Sequence, residues 1–224
     1  YARLSSAPHN DGWFTKATGL LLLEPDLCEV IATLAQGDVS QGLRSLVVDL
    51  LTGAGSSEAQ RALRGFLTSQ AAQAGDWADT FQRVSFLKHP DTESVKLAMN
   101  TFSEKAKLQA NDKTPSRDYT AAAFTLGTTA GRLQAEGRDD EAKSAVEELT
   151  ARLSAPLSDE DLSVTVRALG NASIPDTLAQ LLALASHPNP IVRRAVASAL
   201  RDFQEDTALR ALVQLAVDPI VEVG

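Results

Sequence analysis

The residue types that most often carry chemistry are few in this chain and widely separated. Its three histidines are His9, His89 and His187, and its one cysteine is Cys28. The chain has no His-x-x-x-His pair and no cysteine cluster, so it offers no spacing typical of a zinc site. His89 and His187 each precede a proline at the end of an apolar segment, where a histidine interacts favourably with a helix dipole. We therefore expect no metal and no cofactor.

Nucleophilic catalysis finds equally little support. Cys28 shares an apolar helical face with Leu27, Ile31 and Leu34, and no nearby histidine would lower the pKa of its thiol. A buried and inert thiol is therefore favoured over a nucleophile. The Gly-x-Ser-x-Gly signature of serine hydrolases is absent from the sequence.

Two further patterns resemble ligand sites but lack essential parts. The segment 53–58, Gly-Ala-Gly-Ser-Ser-Glu, begins like a dinucleotide-binding loop, yet it lacks the third glycine and follows a helical pattern rather than a strand. A turn between helices is the favoured interpretation. The acidic runs 139–141 and 159–161 lack the spacing of a calcium loop and are typical of solvated helix N-termini. We expect a non-catalytic protein, and an enzyme is the less favoured alternative.

Charge and hydropathy exclude two classes of partner. The chain carries 29 acidic and 21 basic residues, a net charge of −8, so it lacks the basic excess of a general nucleic-acid binder. Its longest apolar runs, residues 20–23 and 181–185, are far shorter than the roughly 20 residues that span a membrane. Neither nucleic acid nor a membrane span is expected.

Apolar residues recur three and four positions apart along nearly the whole chain, which predicts helices. Alanine and leucine are abundant, only 5% of the residues are aromatic, and no alternating strand pattern persists. The interruptions are short and rich in Gly, Pro, Ser and Asp, so consecutive helices are expected to be antiparallel. Helices are predicted near residues 25–36, 40–53, 57–73, 77–88, 92–109, 117–136, 140–154, 159–170, 175–186, 190–203 and 205–217.

The predicted domain organisation is simple. Residues 1–18 form a leading segment that is partly irregular, and residues 19–224 form a single helical-repeat domain. Residues 109–116 are polar and contain Pro115, which predicts a longer loop within the array; a domain boundary there is the alternative. Because the chain opens at Tyr1 without a methionine, we expect a fragment of a longer polypeptide.

Internal repetition is the most informative feature of the sequence. Residues 176–203 read as a helix, a His-Pro-Asn-Pro turn and a second helix. The phrase Asn-Pro-Ile-Val at 189–192 returns twenty-nine residues later as Asp-Pro-Ile-Val at 218–221, after another apolar helix. A similar turn, Lys-His-Pro-Asp, stands at 88–91. A single hairpin of this kind cannot bury its apolar stripe, so stacking of hairpins is expected.

The helical hairpin at 176–203 resembles a HEAT repeat. Residues 189–195, Asn-Pro-Ile-Val-Arg-Arg-Ala, match the family's Asp-Pro-x-Val-Arg-x-Ala pattern with asparagine in the acidic position. The resemblance implies a ladder of hydrogen bonds between repeats that joins the acidic position to the arginine at Arg193. Glu222 stands where the next repeat would place its arginine, so the ladder is expected to stop there or the chain to be cut within a repeat.

A narrower resemblance covers residues from about 20 to 217. The order of the segments 49–63, 119–133, 166–178 and 192–203 resembles the helical domain of the large lipid transfer proteins, the family of vitellogenin, apolipoprotein B and microsomal triglyceride transfer protein. Together the two resemblances select the residues of the structural repeat motif, which are Asn189, Pro190, Val192, Arg193, Ala195, Gly170 and Asn171.

The lipid-transfer resemblance implies a two-layered helical arch around β-sheets that line a lipid cavity. No segment of this chain resembles those sheets, so lipid is expected only together with absent domains. The animal members of the family also use disulfides. This chain departs from that pattern, because Cys28 is its only cysteine.

The sequence thus predicts an all-α fold, an α-α superhelix or solenoid of about eleven antiparallel helices in HEAT-like hairpins. The first functional hypothesis is a scaffold of the lipid-transfer type, whose partners are flanking β-rich domains. The alternative is a HEAT-like module that binds another protein and has no role with lipid. The compartment is open: secreted or cell envelope for the first hypothesis, cytoplasmic for the second. The partner-binding residues are not identified by the sequence.

Overall fold

The computed structural model describes residues 12–73, 76–109 and 114–218. In this part of the chain all regular structure is helical, and the all-α prediction is confirmed. The α-helices are α1 (Trp13–Leu23), α2 (Asp26–Gln36), α3 (Gln41–Ala54), α4 (Ser57–Leu67), α5 (Gln70–Gln73), α6 (Trp77–Gln82), α7 (Thr92–Gln109), α8 (Arg117–Ala135), α9 (Asp139–Leu153), α10 (Asp159–Ala172), α11 (Leu178–Ala183), α12 (Pro190–Leu200) and α13 (Asp206–Ala216). Two 3₁₀ turns, Arg83–Phe86 and Pro175–Thr177, precede α7 and α11.

The helices predicted over 77–88 and 175–186 are shorter than expected, since α6 and α11 each adjoin a 3₁₀ turn. Two further differences have visible local causes. Helix α1 begins at Trp13, within the segment that was expected to be irregular, directly after Gly12 with its positive φ of 69°. The single helix predicted over 57–73 is interrupted, because the hydroxyls of Thr68 and Ser69 donate to the carbonyls of Arg64 and Phe66. Side chains that compete for helical carbonyls in this way favour a break between α4 and α5.

Several sequence-based expectations lie outside the described residues. These are the first eleven positions with His9, residues 110–113 of the loop expected at 109–116, and Glu222. By its internal contacts the chain divides into two compact units, residues 1–94 and 95–224, which we describe separately. The single domain expected over 19–224 stays a prediction.

The first unit packs its helices in alternation along the chain. Helix α1 packs against α3, and α2 packs against α4. Ser40 and Ser56 cap α3 and α4, accepting hydrogen bonds from the backbone amides of Leu43 and Ala59. Gly55 ends α3 in the left-handed region at φ 63°, so the glycine-bearing segment at 53–58 is a turn between two helices. The core of the first unit includes Cys28, Val48, Leu51, Leu63 and Phe66, each at most 1% exposed.

In the second unit α8 and α10 lie side by side and parallel. A Cβ atom at Gly127 would collide with the carbonyl oxygen of Ala168, and one at Gly131 would lie 2.9 Å from that of Ala172. Both contact points advance by four residues in the same direction along the two helices. The absence of side chains at these two positions therefore lets the two backbones approach.

Helix α12 continues the row on the other side of α10. The side chain of Asn189 reaches Asp159 at the start of both helices, and a Cβ at Gly170 would lie 2.5 Å from the Cα of Ala199 near their ends. The two contacts make α12 parallel to α10. Helix α9 packs against both α8 and α10, and α11 and α13 pack against α12. The result is a row of three parallel helices, with the connecting helices α9, α11 and α13 packed against it.

A polar contact is buried inside this unit. Tyr119 is fully buried, and its hydroxyl lies 2.9 Å from the hydroxyl of Thr165, which donates to the carbonyl of Asp161. The guanidinium carbon of Arg152 lies 5.8 Å from the centre of the tyrosine ring. Burial raises the pKa of Tyr119 above its ordinary value. The tyrosine hydroxyl is enclosed by protein, and its contact with Thr165 ties α8 to α10.

Among the helices that the structure describes, none combines the length and the apolar character needed to cross a membrane.

Candidate repeat motif and interaction surface

Asn189 joins two consecutive hairpins. Its side-chain oxygen, Oδ1, accepts from the backbone amide of Ile191 at 2.9 Å and so caps α12. Its amide nitrogen donates to the Oδ2 of Asp159 at 2.6 Å, thirty residues earlier at the start of α10. Pro190 takes the first helical position, where no backbone donor is required. One side chain therefore both begins its own helix and holds the neighbouring one.

Arg193 makes a second connection, to a residue that lies later in the chain. Its Nε and Nη2 atoms donate to the two carboxylate oxygens of Asp218 at 2.7 and 3.0 Å. Its Nη1 donates to the carbonyl oxygens of His187 and Pro188 at 2.8 and 3.0 Å. A paired, two-point arrangement of this kind fixes the guanidinium plane as well as its position. Arg193 thus links the turn before α12 to the turn after α13.

The remaining residues of the repeat motif lie in the helix packing or on the surface. Val192 and Ala195 are buried in the helix packing, and Gly170 lies at the close approach of α10 to α12. Asn171 is exposed on the surface of α10. The structure therefore brings Asn189 and Arg193 into one line of contacts with two aspartates, while Gly170 sets a distance between helices.

A related line of contacts lies in the first unit. Gln60, four positions after the cap of α4 as Arg193 is after the cap of α12, donates to the carbonyl of His89 at 2.9 Å and accepts from the amide of Asp91 at 2.8 Å. The Nη1 of Arg64 donates to both carboxylate oxygens of Asp91 at 2.6 and 2.8 Å. Gln60 thus stands at the position that Arg193 has in the later repeat, and Arg64, one turn further along α4, supplies the positive charge.

The carboxylate of Asp91 also caps α7 by accepting from the backbone amide of Ser94 at 2.7 Å. Burial opposes its ionisation, but the hydrogen bonds from Arg64 and Ser94 outweigh that cost and hold its pKa below the ordinary value. The turn at 88–91 that resembled the later repeat in sequence is thus held by side chains from α4.

The row of α8, α10 and α12 leaves one side open. On that side α10 presents the exposed Arg167 and Asn171, and α12 presents the exposed Arg194 and Arg201. The guanidinium carbon of Arg167 lies 4.8 Å from the ring centre of the partly exposed Phe124 on α8. This cation–π contact spans the groove between the two helices and holds the guanidinium over a flat apolar surface.

No group of three or more His, Cys, Asp or Glu side chains is arranged to hold a metal within the residues described. His187 accepts through Nδ1 from the amide of Asn189 at 3.2 Å, within its own turn. A cavity of about 420 Å³ opens in the first unit between α1, α3 and the turn at 83–86, and Arg83 and Asp49 form an ion pair in its wall. It is lined by Phe14, Thr15, Asp49, Thr52, Gly53, Arg83 and Phe86.

Sequence reasoning missed several of these partners. Counting thirty residues back from Asn189 leads to Asp159, a spacing that is available in the sequence. The pairing of Gln60 and Arg64 with the turn at 88–91 gives no comparable signal, because glutamine replaces the expected arginine. The contact of Arg167 with Phe124 depends on the register of two helices, which the sequence does not display.

Comparison with known proteins agrees with the repeat geometry. A family model described as HEAT repeats matches residues 133–223, the part of the chain that contains α9 to α13. The C-terminal part of the chain is thus HEAT-like. Neither the curated proteins nor the solved structures include a significant match. Nothing in these comparisons supports the resemblance to the large lipid transfer proteins.

Proposed function

We propose that this chain is a non-catalytic helical-repeat scaffold that binds a protein partner on the open side of α8, α10 and α12. The observation that carries the proposal is the row of three parallel helices whose opposite side is packed against α9, α11 and α13. Contacts such as Arg193 with Asp218 fix the turns of neighbouring hairpins to each other. A surface built from such helices is pre-organised, which lowers the entropic cost of binding.

The HEAT-like match supports this proposal over a scaffold for lipid transfer. The lipid hypothesis depended on a resemblance in small, alanine-rich phrases, and stacked hairpins of any function require such phrases. Lipid extraction of the purified chain followed by mass spectrometry tests the difference. We expect no stoichiometric lipid, and its presence would return the lipid hypothesis to first place.

Site-specific photo-crosslinking in source cells tests the scaffold itself. A photoreactive amino acid is placed at the exposed Asn171 on the open side, and in a matched variant at the exposed Lys143 on α9. We expect a discrete polypeptide adduct from position 171 that is absent from position 143. Equal adducts from both positions, or none from 171, would contradict the proposal.

A further inference from the structure

The open side of α8, α10 and α12 has a distinct chemical character, and we refer to it as the arginine face. Three exposed arginines stand on it, Arg167 on α10 and Arg194 and Arg201 on α12. Within the described part of the chain none of these three guanidiniums forms an ion pair. The face also has two larger apolar side chains, Phe124 on α8 and the exposed Ile191 on α12. Its remaining side chains are small or polar: Thr128, Ser163, Asn171, Ala197 and Ser198.

The geometry of the face is fixed by its helices. Arg194 and Arg201 are seven residues apart on one stripe of α12 and its C-cap, so they lie about 10 Å apart along the axis. The Nη2 of Arg201 donates to the hydroxyl of Ser198 at 3.2 Å, which holds it along the helix. Arg167 lies on the adjacent helix, held over Phe124. The three positive charges thus stand on two neighbouring helices, two of them on α12 and its C-cap and one on α10.

Charge is segregated between the two sides of this unit. The three helices of the row carry acidic residues only in the first turns of α8 and α10, at Asp118 and at 159–161, and residues 119–135, 162–175 and 190–201 contain none. Helix α9, on the opposite side, carries five acidic residues and two basic ones. Acidic groups near the face lie at its ends: Glu160 in the first turn of α10, and Asp202 next to Arg201. A locally positive surface therefore stands on a chain whose net charge is −8.

We propose that the arginine face binds an acidic polypeptide segment, with its carboxylates on the three guanidiniums and an apolar side chain beside Phe124. The inference rests on the proposed function and names the chemistry of the partner. Arginine suits this role because its planar fork matches a carboxylate with two hydrogen bonds. The acidic remainder of the chain repels a segment that docks elsewhere, which favours this one location.

The same charges favour a protein segment over nucleic acid. A phosphate backbone presents a dense and regular row of charges, and binding it takes many cationic contacts. Three arginines on a chain of net charge −8 provide few, and the acidic residues at the ends of the face would oppose a long polyanion. A short acidic segment can pair with the three arginines without extending over those ends.

Fluorescence anisotropy with the full 224-residue chain tests the inference. The probe is a fluorescein-labelled peptide of consecutive glutamates, and a lysine peptide of equal length is its counterpart. We expect saturable binding of the glutamate peptide only, weakened as salt shortens the Debye length. Arg167→Glu and Arg194→Glu should each weaken binding by about fivefold or more, because each exchanges an attraction for a repulsion.

The matched control is Arg210→Glu, which makes the same charge change at an exposed position of α13. Circular dichroism of each variant must show wild-type helix content, and the milder Arg167→Gln and Arg194→Gln replace any variant that unfolds. Equal weakening by Arg210→Glu would overturn the inference, as would no saturable peptide binding or tighter binding of an RNA oligonucleotide of equal charge.

The crosslinking experiment separates this inference from the proposed function. A protein adduct at position 171 that survives reversal of Arg167 and Arg194 would retain the scaffold and refute the acidic segment. Loss of the adduct on reversal, with retention in Arg210→Glu, supports both.

Discussion

At the scale of single residues, the side chains that matter most are those at helix starts and turns. Asn189 and Asp91 each cap a helix, and each has a second partner on another element: Asn189 donates to Asp159, and Asp91 accepts from Arg64. Capping positions were readable from the sequence because Ser, Asn and Asp before an apolar run indicate a helix start. Of their second partners, Asp159 lies at a repeat spacing that the sequence offers, whereas the contact of Asp91 with Arg64 has no comparable signal.

The ionisation of Asp91 predicts a pH dependence of stability. Its pKa in the folded chain lies below the ordinary value of 3.8, so the ionised group stabilises the fold above that pH, and the stabilisation is lost as the pH falls through the folded-state pKa. Asp91→Asn should therefore lower the free energy of unfolding at neutral pH, and its difference from the wild type should shrink below pH about 3.8.

Urea denaturation at a series of pH values measures this difference. Asp38→Asn, which removes an exposed carboxylate from the same unit, is the control. A constant difference between Asp91→Asn and the wild type down to the lowest pH would show that the contacts of Asp91 do not depend on its charge.

At the scale of elements, the row of parallel helices depends on glycines that let backbones meet. Gly127 contacts the backbone of Ala168, so even one added methyl group has no space. We expect Gly127→Ala to destabilise the chain by about 3 kcal/mol or more, at the upper end of overpacking in cores. Thermal or urea denaturation followed by circular dichroism gives the value.

Gly65 on α4 supplies a matched control. It is exposed on a helix, and a Cβ there would meet nothing within 4 Å. Gly65→Ala should stabilise the chain by about 0.5–1 kcal/mol through the higher helix propensity of alanine. Similar effects of the two substitutions would mean that the approach of α8 to α10 is looser than described.

A larger substitution tests the packing of α12. Ala195 is 3% exposed. Ala195→Leu should cost on the order of 1–3 kcal/mol. The exposed Ala216 on α13 accepts leucine without overpacking, so Ala216→Leu should leave the midpoint of denaturation nearly unchanged. Equal stability of the two variants would place Ala195 on the surface.

At the scale of the whole molecule, apolar spacing was sufficient to predict the helical class and most helix positions. Gly12 and the hydroxyls of Thr68 and Ser69 mark the places where local chemistry changed those positions. The candidate face was less predictable, because Arg167 and Arg194 come together only through the register of α10 with α12. Composition gave the net charge of −8 but did not reveal that the acidic residues avoid one side.

Thiol chemistry probes the integrity of the first unit without any mutation. Cys28 is 1% exposed, and burial raises the pKa of its thiol, so both access and thiolate formation are disfavoured. A disulfide reagent should react with the native chain on the order of a hundredfold more slowly than with the urea-unfolded chain. Comparable rates would show that α2 opens readily.

The glycine between α10 and α12 also acts on residues that it does not touch. Gly170 sets how closely the two helix axes approach, Arg167 stands one turn before it on α10, and Arg194 stands on α12. The separation of these two charges is therefore set by the absence of a side chain between the helices. A substitution at Gly170 would push α10 and α12 apart and so move the two arginines away from each other.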